Sequence, residues 1–296
     1  MLAPPQTDPL ADLNDPQKEA VTSTKGALLI NACPGSGKTL VLTRRAAHIL
    51  NSEDISPSRI CAVTFTNKAA GEMKTRMRML AGSDADGVTA STFHSLCARI
   101  LRQYGEHIGV PPEYVIYDEN DTKQSIKAII KNTTGESPAP SEVEQAMTAI
   151  STAKNLGQTS ENAVMDEELR RIYADYEETL WRSDALDFDD LLLRTILLFE
   201  NSPPVADELS SRYVYVMVDE FQDASAMQYR IAARLAATYG NLCVVGDPDQ
   251  SIYGWRQSDI RNFLTFREEF PDRREIMLDT NYRSSGAVIK VASNLM

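Results

Sequence analysis

The sequence predicts an α/β fold: a parallel sheet covered by helices, with the sheet domain interrupted by a helical insert. Three observations predict it. Short continuous apolar runs alternate with amphipathic stretches in the first and last thirds of the 296-residue chain, the pattern of strands buried on both faces and joined by crossover helices. A glycine-rich loop follows the first such run and opens a helix-like stretch. Between about 106 and 187 the apolar runs give way to amphipathic stretches alone.

The elements follow in order. Residues 26–32 (GALLINA) form a first buried strand, 38–50 a helix, 60–65 (ICAVTF) a second strand, 68–80 a helix, 88–92 a third strand and 93–104 a helix. After Pro111-Pro112, amphipathic stretches at 122–131, 141–154 and 166–181 read as helices, with a loop at 135–140. The α/β pattern resumes with strands at 213–218 (YVYVMV) and 242–245 (LCVV), separated by a helix over 227–239. The expected domains are 1–105 with 188–277, the insert 106–187, and 278–296 as the start of a further domain.

Composition narrows the class. The chain is 43% apolar and 24% charged, with 14 Gly and 14 Pro, which excludes disorder, collagen and coiled coil as global readings. No apolar run approaches the ~20 residues of a membrane helix; residues 191–199 come closest and are broken by Arg194. The N-terminus has neither the basic nor the apolar region of a signal peptide. Cys33, Cys61, Cys97 and Cys243 lack metal-ligand spacing and read as reduced thiols of an intracellular protein. The net charge of −12 is unevenly spread: residues 1–105 carry 12 basic and 9 acidic groups, 106–190 carry 7 and 19, and 191–296 carry 11 and 14. The acidity therefore belongs to the middle segment, and the flanks stay open to a phosphate-bearing partner.

Ala32-Cys33-Pro34-Gly35-Ser36-Gly37-Lys38-Thr39 lies between a strand and a helix, the context a phosphate-binding loop needs. Small residues let backbone N–H groups turn inward, and the helix N-terminus adds partial positive charge. Lys38 supplies a point charge, and the Thr39 hydroxyl is placed for Mg²⁺. The first position is Ala32 where the strict pattern has Gly. Val216-Met217-Val218-Asp219-Glu220 is an apolar strand ending in two carboxylates. Alone, such a pair is an ordinary solvated strand end. Beside a phosphate loop, Asp219 suits Mg²⁺ and Glu220 suits the attacking water.

These residues carry a family resemblance. The chain resembles superfamily 1 DNA helicases of the UvrD/Rep/PcrA type over essentially its whole length. The matching blocks run in order: Leu13-Asn14-Asp15-Pro16-Gln17, the phosphate loop, residues 62–70 (AVTFTNKAA) with Met73 and Arg76, Thr92-Phe93-His94-Ser95, residues 218–223 (VDEFQD), residues 245–256 (VGDPDQSIYGWR) and residues 278–284 (LDTNYRS). The resemblance implies a RecA-like P-loop domain using ATP and Mg²⁺. Gln17 is then an adenine reader, although a helix-capping role behind Asn14 is the alternative. Gly35, Ser36, Gly37, Lys38 and Thr39 hold the phosphates, Thr39 and Asp219 the metal, and Glu220 the water. Gln250 touches the γ-phosphate, Tyr282 stacks on adenine and Arg283 acts as an arginine finger. Where many relatives place a basic residue after the loop threonine, this chain has Leu40.

The same resemblance implies a single-stranded DNA face of Thr64, Phe65, Asn67, Lys68, His94, Tyr253, Trp255 and Arg256. Aromatic rings stack on bases without regard to sequence, and Lys68, Lys74, Arg76 and Arg78 form a basic run able to meet phosphates. Core packing is the alternative for Phe93, Tyr253 and His94; Trp255 lies in a polar segment with little reason to bury an indole. The implied activity is ATP-driven 3′→5′ translocation and strand separation at single/double-strand junctions, in DNA repair or recombination. The rival readings are a helicase subunit of a helicase–nuclease, a nucleotide- and DNA-binding module without unwinding activity, and a P-loop NTPase unrelated to nucleic acid. The sequence names no protein partner and no membrane. The family's later motifs have no counterpart before Met296, so the chain is expected to be the N-terminal part of a longer protein and weak or inactive alone.

Overall fold

The computed structural model describes residues 8–250 and 261–286. Tyr253, Trp255, Arg256 and most of the expected further domain, from residue 287 on, lie outside them. The chain forms two compact units: residues 1–92, 209–224 and 232–296, and residues 93–208 with 225–231.

The first unit holds the α/β fold expected from the alternation. Its elements are α1 (Asp15–Thr22), β1 (Leu28–Ala32), α2 (Lys38–Ser52), β2 (Ile60–Thr64), α3 (Asn67–Ala81) and β3 (Thr89–Thr92). After the second unit come β6 (Tyr215–Val218), β7 (Leu242–Gly246), α11 (Asn262–Glu269) and β8 (Arg274–Leu278). The sheet has six strands in the order β3-β2-β6-β7-β1-β8, and every pairing is parallel. The apolar runs read as strands are its centre: all residues of β2, β6 and β7 are buried. The core includes Leu28 and Ile30 of β1, Val41 and Leu42 of α2, Met73 and Met77 of α3, and Ile276 and Leu278 of β8.

The first strand begins at Leu28, not at residue 26, because Gly26 takes a left-handed φ of 78° and donates its N–H to Asn241 Oδ1 at 2.7 Å. β8 was not expected as a strand. Only Ile276 and Leu278 of its five residues are buried, so it carries no continuous apolar run. The strand nevertheless pairs along its length with β1, with Leu278 beside Ala32.

The second unit is helical: α4 (Phe93–Tyr104), β4 (Val115–Ile116), α5 (Glu119–Thr134), α6 (Pro140–Asn155), α7 (Glu167–Arg182), β5 (Ala185–Leu186) and α8 (Phe188–Asn201), with the start of α9 (Pro203–Arg212) and of α10 (Ala226–Leu235). The expected insert, 106–187, lies inside this unit, which also takes in α4 and α8. Its core interleaves Ile126 and Ile130 of α5, Val143 and Ile150 of α6, and Ile172, Tyr173, Tyr176 and Leu180 of α7, each set at helical spacing. β4 and β5 form a short parallel pair. α10 ends at Leu235, four residues before its expected end, and residues 236–239 form a turn. Among the described residues no helix is long and apolar enough to cross a membrane.

Candidate functional site

Parallel strands deliver their following loops to one edge of a sheet, and ligands bind there. At the carboxyl edge of the first unit, β1 delivers the phosphate loop, β6 delivers Asp219 and Glu220, β7 delivers Asp247 and Gln250, and β8 delivers Asn281, Tyr282 and Arg283. Gly35 has φ 70° and Gly37 has φ 93°, conformations that L side chains resist. Gly37 is the N-cap of α2, so the helix starts with its unpaired N–H groups facing the loop. A Cβ on Gly35 would lie 2.7 Å from Arg283 Cβ and 2.8 Å from Asn281 Oδ1. The close approach of the 281–283 segment therefore requires glycine at that position.

Lys38 is buried, 8% exposed. Its Nζ donates to Gln250 Oε1 at 3.0 Å and lies 3.7 Å from Glu220 Oε2. Gln250 Nε2 donates to Asp247 Oδ2 at 2.7 Å. The Asp247 N–H donates to Gln222 Oε1 at 3.0 Å, and Gln222 Nε2 donates to Glu220 Oε2 at 2.8 Å. Five residues from three strand ends thus close a polar ring. Sequence reasoning assigned roles to Lys38, Glu220 and Gln250. It missed Gln222, a buried residue whose partner Asp247 is 25 positions away.

Glu220 itself is held at φ 52°, ψ 47°, a left-handed conformation that costs a non-glycine residue about 1–3 kcal/mol. The kink turns its carboxylate out of the strand direction and into the ring. Its N–H is satisfied by Asp219 Oδ1 at 3.0 Å.

The Thr39 hydroxyl donates to Asp219 Oδ2 at 2.9 Å. Burial, reinforced by the charge of Glu220, pushes the Asp219 carboxyl up to about 6. The same two causes push Asp223 up to about 6. The site thus holds more negative charge than Lys38 balances. Among the described residues no three His, Cys, Asp or Glu side chains converge as a metal cage. Two hard oxygens, one hydroxyl and one carboxylate, fit Mg²⁺ held jointly with phosphate oxygens.

Gln17 is 3% exposed. It completes a capping box with Asn14 at the start of α1, and its Nε2 donates to the Ser36 carbonyl at 2.9 Å. The capping role is the one these contacts display, and through it Gln17 braces the phosphate loop. Ser36 is buried, and its hydroxyl donates to the Cys33 carbonyl at 2.8 Å. Tyr282 has an exposed ring, donates its N–H to the Gly35 carbonyl at 3.0 Å, and accepts Asn14 Nδ2 on its hydroxyl at 2.7 Å. Asn281 Oδ1 accepts the Arg283 N–H at 2.8 Å and the Ser284 N–H at 2.9 Å, fixing the turn that carries Arg283. Tyr282, Arg283, Leu40, Lys38 and Thr39 line a cleft of about 370 Å³. Glu72 and Arg76 of α3 line it too, with Arg76 Nη2 3.8 Å from Glu72 Oε2. Sequence reading grouped Arg76 with a basic run able to meet phosphates; the helix places it on the lining of this cleft.

The expected DNA-contacting residues fall in both units. In the first, Thr64 closes β2 and is buried, with a hydroxyl that has no hydrogen-bond partner. Phe65 is half-buried, and Asn67 and Lys68 are exposed at the start of α3. In the second, Phe93 is buried, which settles it as packing. His94 is half-buried, and its ring meets Phe188 edge-on at 5.8 Å between centroids. Burial holds its imidazole below the ordinary histidine value, which favours the neutral ring. Phe188 is 52% exposed and was missed, because nothing in the local sequence marks its ring as exposed beside His94.

The family model for the UvrD/REP helicase N-terminal domain matches residues 13–271. The ATP-dependent DNA helicase PcrA of Staphylococcus aureus is 43% identical over 293 residues, covering 97% of this chain and 40% of that protein. The protein of the same description from Staphylococcus epidermidis is 43% identical over 291 residues, with 96% and 40% covered. The chain therefore spans about 40% of the length of these curated relatives.

Proposed function

Since the chain belongs to the UvrD/REP helicase family, we propose that it is the ATP-hydrolysing motor core of a DNA helicase that translocates 3′→5′ on single-stranded DNA. The observation that carries the reading is the ring Lys38–Gln250–Asp247–Gln222–Glu220, closed beside the Thr39–Asp219 pair. Backbone N–H groups of Gly35, Ser36 and Gly37 receive the phosphates, and Lys38 exchanges Gln250 for a phosphate oxygen. Thr39 and Asp219 hold Mg²⁺, whose charge supplies electrostatic stabilisation to the transferring phosphoryl group when bound. Glu220 orients the attacking water and takes its proton. Gln250, released by Lys38, is free to contact the γ-phosphate and report its presence to the following residues Tyr253, Trp255 and Arg256. Tyr282 stacks on the base and Arg283 reaches the γ-phosphate.

Contacts to single-stranded DNA are assigned to Phe65, Asn67, Lys68, Tyr253, Trp255 and Arg256 of the first unit, with Thr64 as a strand-end contact, and to His94 of the second. Phe188 joins them: an exposed aromatic ring against His94 offers the π-face that unstacked bases take. The resemblance implies no base-edge reading, so sequence-independent binding is expected. The duplex junction and a role in repair or recombination follow the family, as does a second domain that closes the cleft.

The test is DNA-stimulated hydrolysis with Glu220→Gln. The variant keeps Mg²⁺-ATP affinity within a few-fold and loses turnover by about 10²–10⁴-fold, the usual worth of a positioned base. Turnover equal to the parent chain would remove Glu220 from that role.

A further inference from the structure

The turn that opens α8 divides its four residues between two tasks. Asp187 caps the helix: its Oδ1 accepts the Asp190 N–H at 2.8 Å, and the Asp187 N–H returns to Asp190 Oδ2 at 3.3 Å. Both carboxylates reach Lys154 Nζ, at 2.7 Å from Asp187 Oδ2 and 2.8 Å from Asp190 Oδ2. Tyr176 adds a hydroxyl bond to Asp187 Oδ2 at 3.1 Å. Asp189 accepts Asn155 Nδ2 at 2.8 Å. Lys154 and Asn155 are the last two residues of α6. Three of the four residues are therefore tied to one helix end, and the fourth, Phe188, faces solvent with His94 at its edge.

Helix-end electrostatics favour the arrangement, since a cation sits at the C-terminus of α6 and carboxylates at the N-terminus of α8. Stability alone does not account for it. A fully buried lysine carries a desolvation cost, and apolar residues of similar volume commonly hold two helices together as well or better. What the ion pairs add is direction: they fix the rotation of the turn, and with it the direction of Phe188.

We propose that Lys154 is a positioning residue for DNA binding, which clamps both ends of the α8 capping box and so presents Phe188, beside His94, to an unstacked base. The proposal rests on the DNA-binding reading above. Lys154 touches no base. It acts through the turn, with Asn155 as the second tie.

The experiment measures the affinity of the full chain for a single-stranded oligonucleotide carrying one 2-aminopurine, by anisotropy and by stacking-dependent quenching. Phe188→Ala weakens binding about fivefold or more, the lower end of one base–aromatic stack. Lys154→Met combined with Asp190→Asn removes the clamp and one charge of each sign, so the net buried charge is unchanged. It weakens binding roughly three- to tenfold and reduces quenching, with ATP affinity unchanged. In a Phe188→Ala background the same pair has no further effect. Asn155→Ala, which loses only the tie to Asp189, shows a smaller loss with the same dependence on Phe188 and serves if the double variant does not fold. If Phe188→Ala binds normally, the DNA-face reading of Phe188 fails. If it binds weakly while the clamp variants bind normally, or if they lose as much affinity without Phe188 as with it, Lys154 is a strut and the positioning role is wrong.

Discussion

Gln222 shows how much one side chain can organise without touching substrate. Its carboxamide spends the donor on Glu220 and the acceptor on the Asp247 N–H, so it sets the carboxylate proposed to activate water against the strand end that leads to Gln250. Gly246 leaves it room: a Cβ there would lie 2.7 Å from Gln222 Oε1. Gln222→Leu strands a buried N–H and frees Glu220, at a cost of about 1–3 kcal/mol in stability. Turnover should fall at least tenfold with little change in KM for ATP, which steady-state kinetics and thermal melting together will check. Equal losses in kcat and in ATP binding would point to general collapse of the site. Gly35→Ala belongs to the same scale. It sets a methyl group 2.7 Å from Arg283 Cβ on a backbone with φ 70°, so the 281–283 segment must move and ATP affinity should drop about tenfold or more by calorimetry. The phosphate loop, Asp219 and Glu220 were legible in the sequence because their chemistry is local: a loop, a strand end, a fixed spacing. Gln222 and the bracing role of Gln17 were not, because each acts through a partner that only folding brings near.

Lys154 makes α6, α7 and α8 sensitive to alkali. Burial by itself lowers its pKa, but the charges of Asp187 and Asp190 and their hydrogen bonds outweigh burial and push it up to about 12. A lysine raised in the folded state contributes stability fully below its ordinary value of 10.5 and loses it as pH rises through about 12. Burial also raises Tyr173 and Tyr176, with the charges of Glu177 and Asp187 respectively adding to it, so ionisation of the unfolded tyrosines from pH ~10 upward acts in the same direction. The helical unit should therefore unfold cooperatively between about pH 10.5 and 12, and tyrosinate absorbance should show Tyr173 and Tyr176 ionising only with the loss of circular dichroism. Simple titration of all tyrosines near pH 10 in a folded chain would contradict this. Amphipathic spacing made α5, α6 and α7 legible, each within three residues at either end. It left Lys154 without a role, since periodicity cannot tell a charged residue at the helix surface from one that meets two buried carboxylates. β8 failed for a related reason: a five-residue edge strand with two buried positions leaves too short an alternation to separate from a loop.

For the whole molecule, the uneven charge already separated two kinds of surface. The acidic stretch 106–190 falls within the helical unit, and the net-positive residues 1–92 with their phosphate loop fall within the sheet unit. The positions of the unit boundaries were less legible, because α4 and α8 are apolar enough to serve either unit. Residues 1–296 alone should bind Mg²⁺-ATP weakly, hydrolyse it slowly and separate no strands. Translocation needs domains that close on ATP and reopen, and a well-placed arginine finger contributes ~10³–10⁵ in rate. A strand-displacement assay at saturating ATP is the check, and robust unwinding by these residues would refute the two-domain mechanism. The edge position of β8 has one more implication. Its last carbonyl, on Leu278, accepts the Cys33 N–H, so the sheet itself measures out the reach of Tyr282 and Arg283. Losing or gaining one residue within 274–278 would turn Ile276 and Leu278 outward and shift both site residues by one strand step, about 3.3 Å. Length variation among natural variants should be purged from this stretch and accumulate in exposed loops such as 135–139, so that the record of insertions and deletions in the lineage traces where the molecule keeps a ruler.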